Sequence, residues 1–441
     1  MAKNKAEETQ AKRSARMSAY IDAVQEELSN RVAQEQLEAG AEEAKKLIDD
    51  ALEVVTKYDD TITRAEKEEI KRVVLNEFLE YGSIQHLLDD DEITEVIINK
   101  HDTIWVERHG VLERVTEHLF DDDRAVMRLV DKIASEQNKH CDNQVPYMNA
   151  RLRDGSRVNA IIPPLARFGP SVTIRKFPKQ RMEAMDLIRA GSASVDMINF
   201  LACAVQARLN ILVSGGTGSG KTTLLNVLAN YIPHEERVVT IEDTAELKLP
   251  NEESWVSLEA RDANADGTGA ISIHTLVVNS LRMRPDRIIV GECRSDETVE
   301  MLQAMNTGHD GSLTTIHAND PRAAFLRIET LVQATQDLSE RNIDMQIATA
   351  IQLVVQVKRF RDGSRKISEI IALTGNMEGD TITTTPIFEF VEDGQDENGK
   401  LRGRHVASGS PLPESIMERI ENSGAYFDER WLGLGDVEGD D

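Results

Sequence analysis

Residues 209–228 read LNILVSGGTGSGKTTLLNVL, and this stretch decides the fold of the domain around it. Its first part, Leu209–Val213, is a short apolar run that is typical of a buried parallel strand. The glycine-rich part, Gly215–Thr222, matches the pattern G-x-x-x-x-G-K-T, and an apolar helical face follows it. A chance glycine-rich turn is the alternative, but such a turn would not require an apolar strand before it and a helix after it. The order strand, loop, helix therefore predicts a phosphate-binding loop.

The loop has the chemistry that a nucleotide phosphate needs. Its glycines let successive backbone N–H groups turn inward around an anion, and the helix N-terminus adds a positive dipole. Lys221 can reach the β- and γ-phosphates, and the Thr222 hydroxyl can bind Mg²⁺. These features predict ATP and Mg²⁺ as ligands.

The composition of the chain bounds the class of protein. Its 441 residues are enough for two or three domains, and no apolar run approaches the length of a membrane span. The N-terminus lacks an apolar signal segment, so we expect a cytoplasmic protein. Three widely spaced cysteines, Cys141, Cys203 and Cys293, show no metal-ligand pattern and are expected to be reduced and buried.

The net charge of −26 bears on the partners. Such a chain repels nucleic acid and anionic lipid at long range, so we expect no nucleic acid and no direct membrane contact. A DNA-translocating motor would need a basic channel, and we expect no lysine- and arginine-rich stretch to line one.

The residue pattern divides the chain into five parts. Within the first part, apolar residues recur at helical spacing, and Thr63 and Glu66 form a capping box. A solvated, partly ordered extension is the alternative for residues 1–40. The predicted parts are a helical bundle over 1–80, a small α+β domain over 81–177, a linker over 178–192, alternating strands and helices around a parallel sheet over 193–375, and a hairpin with a final helix over 376–441.

Acidic residues end two predicted strands of the parallel sheet. Arg237–Asp243 ends in Glu242 and Asp243, and Arg287–Glu292 ends in Glu292. Ligands of an open parallel sheet lie at the carboxyl ends of its strands, so both groups are expected to converge on the loop. Hydrolysis needs a carboxylate to orient water and acidic ligation for Mg²⁺. Structural carboxylates at strand ends are the alternative for each cluster.

Histidines and arginines complete the predicted constellation. His309 precedes a predicted strand and His317 ends it, so His317 is expected at the same sheet edge as Glu242 and Glu292. A satisfied structural histidine is the alternative. Arginines that could clamp phosphate oxygens, or that simply serve solubility and carboxylate pairing, are Arg151, Arg153, Arg157, Arg175, Arg261, Arg282 and Arg284.

Together these stretches resemble the type II/type IV secretion ATPases, and most of all the tight-adherence (Flp) pilus assembly ATPases of the CpaF-like subfamily. The resemblance covers roughly residues 80–375, about two-thirds of the chain. The stretches that carry it are Asn149–Pro164, Val172–Phe177, Gly215–Asn226, Thr240–Leu247, Leu281–Arg294 and Thr307–Asn319.

The resemblance implies a RecA-like P-loop motor domain and a role for each motif. Glu242 would activate water, and Glu292 would end an atypical Walker B motif and help to hold Mg²⁺ with Thr222. His309 and His317 would form a histidine box, with His317 nearer the nucleotide. The implied Walker A residues are Gly215, Gly216, Thr217, Gly218, Ser219, Gly220, Lys221, Thr222 and Thr223. The resemblance implies arginines near nucleotide at Arg151, Arg157 and Arg175 of the small domain, and one near a subunit boundary at Arg282 of the motor domain. Arg261 is a further candidate for nucleotide binding from the residue pattern.

The family pattern also implies an assembly and a task. The resemblance predicts a homo-hexameric, Mg²⁺-dependent ATPase that contacts the membrane only through integral platform proteins and powers pilus assembly. A type IV secretion ATPase that exports effectors and a nucleotide-switch scaffold with little turnover are the alternatives. Two departures are Arg153, where proline is common, and His274-Thr275, where an Arg-Asp pair is more usual.

Overall fold

The computed structural model describes most of the chain in two compact units, Met1–Lys179 and Gln180–Asp441. The described residues are 16–17, 19–28, 41–57, 59, 61–79, 81–108, 110–137, 139–177, 182–249, 253–261, 263, 268–397 and 399–435. Within these ranges, no helix is both long enough and apolar enough to cross a membrane.

Three helices of the first unit pack together. Residues 19–28, Ala41–Thr56 and Arg64–Leu79 are helical. The capping box is present, since the Thr63 N–H donates to Glu66 Oε2 at 2.8 Å and the Glu66 N–H to Thr63 Oγ1 at 3.2 Å. The shared buried core is Ile21, Val24, Leu28, Ile48, Ala51, Leu52, Ile70 and Val74. For residues 19–28, the packed helix replaces the alternative of a solvated extension.

The first unit also contains an antiparallel sheet with helices. Its antiparallel sheet has the order β3-β2-β1-β6-β5-β4. The strands are β1 (Ile93–Lys100), β2 (Thr103–Arg108), β3 (Val111–Arg114), β4 (Tyr147–Arg151), β5 (Arg157–Ile161) and β6 (Ser171–Arg175). The helices are Gly82–Ile84, Gln85–Asp89 and Asp123–Glu136. Asp154-Gly155 forms the predicted hairpin turn, with the Leu152 N–H donating to Ser156 O at 2.9 Å.

The core of this domain starts earlier along the chain than its first strand. Ile84, Leu87 and Leu88 are buried in the same cluster as Val96 and Ile98 of β1. Burial of these side chains contributes on the order of 1.5–3 kcal/mol each. The short helices before β1 therefore belong to the α+β core.

The second unit is built on a nine-stranded mixed sheet of order β15-β14-β13-β12-β7-β11-β10-β8-β9. The strands are β7 (Ile211–Gly215), β8 (Val238–Glu242), β9 (Trp255–Glu259), β10 (Arg287–Cys293), β11 (Leu313–Ile316), β12 (Leu353–Arg359), β13 (Arg365–Glu378), β14 (Thr381–Gln395) and β15 (Leu401–Ala407). The six neighbouring strands β12-β7-β11-β10-β8-β9 pair in parallel. Strands β13, β14 and β15 extend the sheet from β12 by antiparallel pairing. The predicted α/β class with a central parallel sheet is confirmed.

Helices cover both faces of this sheet. On β7, Ile211 and Val213 lie in one buried cluster and Leu212 in the other, which is the alternation that a strand imposes. Helices of the first face are Ala184–Arg189, Val195–Gln206, Lys221–Ala229 and Glu414–Ser423. Helices of the second face are Ile273–Ser280, Glu297–Asn306, Pro321–Gln333 and Glu340–Ala350. Cys141, Cys203 and Cys293 are buried free thiols.

Two features differ from the division read from the sequence. The helix Ala184–Arg189 lies within the predicted linker 178–192, and its Leu187 is buried in the core of the second unit. Strand β13 crosses the predicted boundary at residue 375, so the tail extends the same sheet. Of the predicted β14–β15 hairpin turn, Asn398 lies outside the described residues, while both strands are present and paired.

A buried arginine braces the N-terminal end of β10. Arg287 is fully buried; its guanidinium pairs with Glu236 and donates from Nη1 to Val205 O at 2.7 Å. Burial lowers the pKa of Arg287, and the Glu236 carboxylate opposes that shift. Gly311 passes directly over this guanidinium, and a Cβ there would overlap Nη1.

Candidate functional site

The glycine loop follows β7 and leads into the helix Lys221–Ala229, as predicted. Gly218 and Gly220 have φ of +67° and +100°, a region that favours glycine. A Cβ built on Gly216 would have no described atom within 4 Å, so the loop is open there. Lys221 Nζ donates to Gly215 O at 3.0 Å and to Gly216 O at 3.1 Å. The loop thus folds around its own lysine at the carboxyl end of β7.

Glu242 lies at the same edge of the sheet and is almost fully buried, with 2% exposure. Its Oε1 accepts the N–H groups of Glu246 at 2.9 Å and Leu247 at 3.1 Å. A Cβ built on Gly291 of β10 would lie 3.0 Å from Glu242 Cγ. The missing side chain at Gly291 lets the carboxylate lie against β10, and the two backbone donors fix its plane.

Glu292 is the penultimate residue of β10 at this edge and is linked through an arginine to Asp243, which follows β8. Arg294 Nη2 donates to Glu292 Oε2 at 2.7 Å. Arg294 Nη1 donates to Asp243 Oδ2 at 3.4 Å. The hydrogen bond to Glu292 raises the pKa of Arg294. The structure therefore brings both acidic strand ends together, as expected. Sequence reasoning gave Arg294 no role, although its i,i+2 spacing from Glu292 could have indicated one.

The two histidines lie at opposite ends of β11. His317 follows β11, is exposed, and lies at the edge that carries the loop, since Ile316 pairs with Ser214 of β7. His309 precedes β11, and its N–H donates to Ala304 O at 3.2 Å. The ends of a four-residue strand are about 10 Å apart. The structure therefore does not bring His309 to the loop of its own subunit.

The predicted motor-domain arginines also lie apart from the loop. Arg282 follows the helix Ile273–Ser280, precedes β10 and is exposed, so it lies at the opposite sheet edge. Its Nη1 donates to Val278 O at 3.3 Å. Arg261 follows the edge strand β9 at the same sheet edge as Glu242, four strands along the sheet from β7, and donates from Nε to Gly269 O at 2.8 Å.

Three predicted arginines form a row across the sheet of the first unit. Arg151 pairs with Arg157 across β4 and β5, and Arg157 pairs with Arg175 across β5 and β6. Residues directly opposite one another project from the same face, where like charges destabilise a sheet. Glu95 continues the row beside Arg175. The row therefore places three guanidinium groups and one carboxylate on one face of the sheet. Arg153 is separate and pairs with Glu136 at 2.8 Å.

The donor set near the loop fits Mg²⁺. The Thr222 hydroxyl at the start of the helix and the Glu292 carboxylate at the end of β10 are the hard oxygen ligands that this ion prefers. Glu292 is paired with Arg294, which keeps its carboxylate at this edge.

The expectation that the chain has no basic stretch is wrong. Residues 358–366 read KRFRDGSRK, and five of these nine are basic. They form the end of β12, a turn and the start of β13. The net charge of the whole chain gave no indication of this local cluster of basic residues, because a net charge carries no information about position.

Comparison with known proteins places the chain in a family. The family model described as "Type II/IV secretion system protein" matches residues 77–385. A putative conjugal transfer protein of Mycobacterium tuberculosis is 37% identical over 308 residues, which cover 68% of this chain and 87% of that protein. The conjugal transfer protein TrbB of Rhizobium radiobacter is 32% identical over 294 residues, covering 65% and 86% respectively.

Among solved structures, the VirB11 ATPase of the Brucella suis type IV secretion system, in complex with sulphate, is 29% identical. The match covers 65% of this chain and 91% of that one, with a TM-score of 0.36. The extent of the family match over residues 77–385 shows that this chain belongs to the type II/IV secretion system protein family.

Proposed function

We propose that this protein is a Mg²⁺-dependent ATPase that drives a secretion machine. The observation that carries the proposal is the glycine loop at the end of β7, with Glu242 and Glu292 at the same edge of one parallel sheet. Ligands of such sheets bind at this edge. Membership of the secretion family supplies the task.

The residues at the edge divide the work of phosphoryl transfer to water. The loop N–H groups and Lys221 would hold the phosphates and offset the developing charge. Glu242, with its carboxylate plane fixed by two backbone donors, would orient the attacking water and take its proton. Thr222 and Glu292 would hold Mg²⁺, which neutralises phosphate charge when bound. Burial of Glu242 keeps competing bulk water from its carboxylate.

We propose that the active form is a homo-hexameric ring. Arg282 lies at the sheet edge opposite the loop, so within one chain it has no route to the bound phosphates. In a ring, one subunit's loop edge can face the opposite edge of its neighbour, which gives Arg282 a phosphate partner. The arginine row Arg151, Arg157 and Arg175 stays a predicted source of further cations for phosphate.

The names of the relatives favour one machine over another. Proteins of conjugal transfer and of a type IV secretion system are among the similar proteins, which supports the type IV secretion alternative over tight-adherence pilus assembly. We therefore propose a cytoplasmic ATPase that acts at the membrane through integral membrane partners of a type IV-like apparatus. Flp pilus assembly stays a second prediction, supported by the motif resemblance.

The chemistry is tested by Lys221→Ala, which removes the loop cation. We expect turnover to fall by about 10²-fold or more, as for other preorganised charge stabilisers. Lys400→Ala, an exposed lysine in the β14–β15 turn, is the matched control. Near-normal turnover of a folded Lys221→Ala protein would refute the ATPase proposal, as would an equal loss in the control.

The task is tested in the native host after deletion of the gene. Complementation with the wild-type gene should restore transfer of a mobilisable plasmid or a secreted protein. Complementation with Lys221→Ala should not restore it. Restored surface pili with unchanged transfer would favour the pilus role instead. Full complementation by Glu242→Gln, which is expected to bind Mg-ATP without turnover, would support a nucleotide-switch scaffold.

A further inference from the structure

We propose that the β12–β13 hairpin is a second cationic clamp on the nucleotide: Arg359 binds the α/β-phosphates, and Arg365 positions the glycine loop. This inference rests on the proposed ATPase function and adds two residues to its binding site. Neither lies in the glycine loop, the acidic strand ends, the histidine pair or the predicted arginine set.

The hairpin lies against the loop because β12 is the neighbour of β7. Val357 pairs with Gly215, the residue at which the loop begins. A Cβ on Gly215 would lie 2.5 Å from Val357 O, so the two backbones touch without intervening side chains. The two residues that follow Val357 therefore extend alongside the loop itself.

The hairpin is rigid enough to hold a side chain in place. The Phe360 N–H donates to Ser364 O at 2.8 Å, and Asp362 accepts the N–H groups of Ser364 at 2.9 Å and Leu401 at 2.8 Å. The last bond ties the turn to β15. Lys366 Nζ also donates to Gly191 O at 3.1 Å. A preorganised cation loses less entropy when it binds a ligand.

Arg365 contacts the backbone of the loop. Its Nε donates to Gly218 O at 2.9 Å, and its Cδ lies 3.6 Å from the position of a Cβ on Gly220. The Gly218 carbonyl and the Ser219 N–H belong to one trans peptide group, in which they point in opposite directions within the same plane. A bond that holds the Gly218 carbonyl therefore fixes the orientation of this peptide group, whose Ser219 N–H donates to Gly216 O at 3.3 Å within the loop. Arg365 is a positioning residue for the phosphate cradle.

Arg359 brings a second guanidinium to the same point. Its Nη1 lies 3.3 Å from the position of a Cβ on Gly218. Arg359 is also directly opposite Arg365 across the hairpin, and Lys358 is opposite Lys366. Four cationic side chains are thus concentrated at this end of the hairpin. The guanidinium fork suits a phosphate oxygen.

The position along the loop selects the phosphates. Backbone groups of such a loop cradle the α- and β-phosphates, whereas the lysine that begins the helix reaches the β- and γ-phosphates. Arg359 lies beside Gly218, three residues before Lys221. The clamp therefore acts on ADP and ATP alike, unlike a γ-phosphate sensor.

The test is calorimetric binding of Mg-ADP and Mg-ATP to the full-length protein. We expect Arg359→Ala to raise the Kd of both nucleotides about 10-fold, as for loss of a charge-assisted hydrogen bond. Arg365→Ala should raise both Kd values similarly, and Arg365→Lys should restore part of the loss, because a lysine can still donate to the Gly218 carbonyl. Arg361→Ala, at an exposed position in the same turn, is the control for net charge and should bind as the wild type does.

Each outcome separates the clamp from the ATPase proposal. Equal Kd values for Arg359→Ala and Arg361→Ala, with binding lost in Lys221→Ala, would overturn the clamp alone. A loss for ATP with none for ADP would overturn the assignment to the α/β-phosphates. Near-normal turnover of a folded Lys221→Ala protein would overturn the proposed function itself. Arg359→Lys keeps the charge and serves as the second variant if Arg359→Ala fails to fold, and it must bind more tightly than Arg359→Gln.

Discussion

Replacement of Glu242 by glutamine changes one oxygen of a buried carboxylate to an amide nitrogen. The side chain keeps its shape and keeps one oxygen that can accept the Glu246 and Leu247 N–H groups, both of which now donate to Oε1. Glutamine cannot take a proton from water. The variant therefore separates the proposed chemical role of Glu242 from its structural role.

The two roles predict different magnitudes. Loss of a general base costs about 10²–10⁴-fold in rate, or about 3–5 kcal/mol at the barrier. The structural change replaces two hydrogen bonds to a charged acceptor by two to a neutral one, a loss of roughly 1–2 kcal/mol. For a unit of this size such a loss lowers the melting temperature by a few degrees. Turnover should therefore fall by orders of magnitude in a protein that stays folded.

The assay is steady-state phosphate release under saturating Mg-ATP, alongside nucleotide affinity and a melting curve. We expect Glu242→Gln to keep wild-type affinity for Mg-ATP. Glu235→Gln makes the same chemical change at an exposed residue before β8, at the other edge of the sheet, and should leave turnover unchanged. Glu292→Gln should instead raise the Mg²⁺ requirement. A Glu242→Gln protein with more than about a tenth of wild-type turnover would refute the general-base role.

Three further predictions concern stability and domain structure. Gly311→Ala should destabilise the protein by about 3 kcal/mol or more in a thermal melt, because its Cβ would displace the buried Arg287 guanidinium. Gly308→Ala is the control, since Gly308 also has a positive φ but faces open space, and it should lower the stability less. Burial, with a hydrogen bond and charge from a neighbouring aspartate, raises the pKa of Glu329 from 4.5 to about 7, so its contribution to stability is full below pH 4.5 and is lost as pH rises through 7. Glu329→Gln should flatten that part of the melting temperature against pH, and an unchanged profile would contradict the assignment. A chain that starts at Tyr81 keeps the whole α+β core and should retain basal ATPase activity within about twofold of the full chain; an insoluble product would show that the helical bundle is needed for folding.

Local sequence was sufficient for the features that depend on neighbouring residues. The glycine loop needs its glycines, lysine and threonine within eight consecutive positions, so Gly215–Thr222 and its flanking strand and helix were predictable. The capping box at Thr63 and the turn at Asp154-Gly155 are local in the same sense. Strand ends were predictable too, since β8 ends at Glu242 and Glu292 lies one residue before the end of β10.

Only the tertiary structure decided which distant residues meet at the loop. The order β12-β7-β11-β10-β8 brings Arg365 to Gly218, 147 positions away, and lets Glu242 lie against Gly291. The same sheet leaves His309 at the edge away from the loop, although its motif continues through β11 to His317. Strand neighbours in a parallel sheet are set by crossovers and by packing of two helical layers, both of which depend on contacts between remote segments. Periodicity along the chain reports which face of a strand is buried, and carries no information about which strand lies beside it.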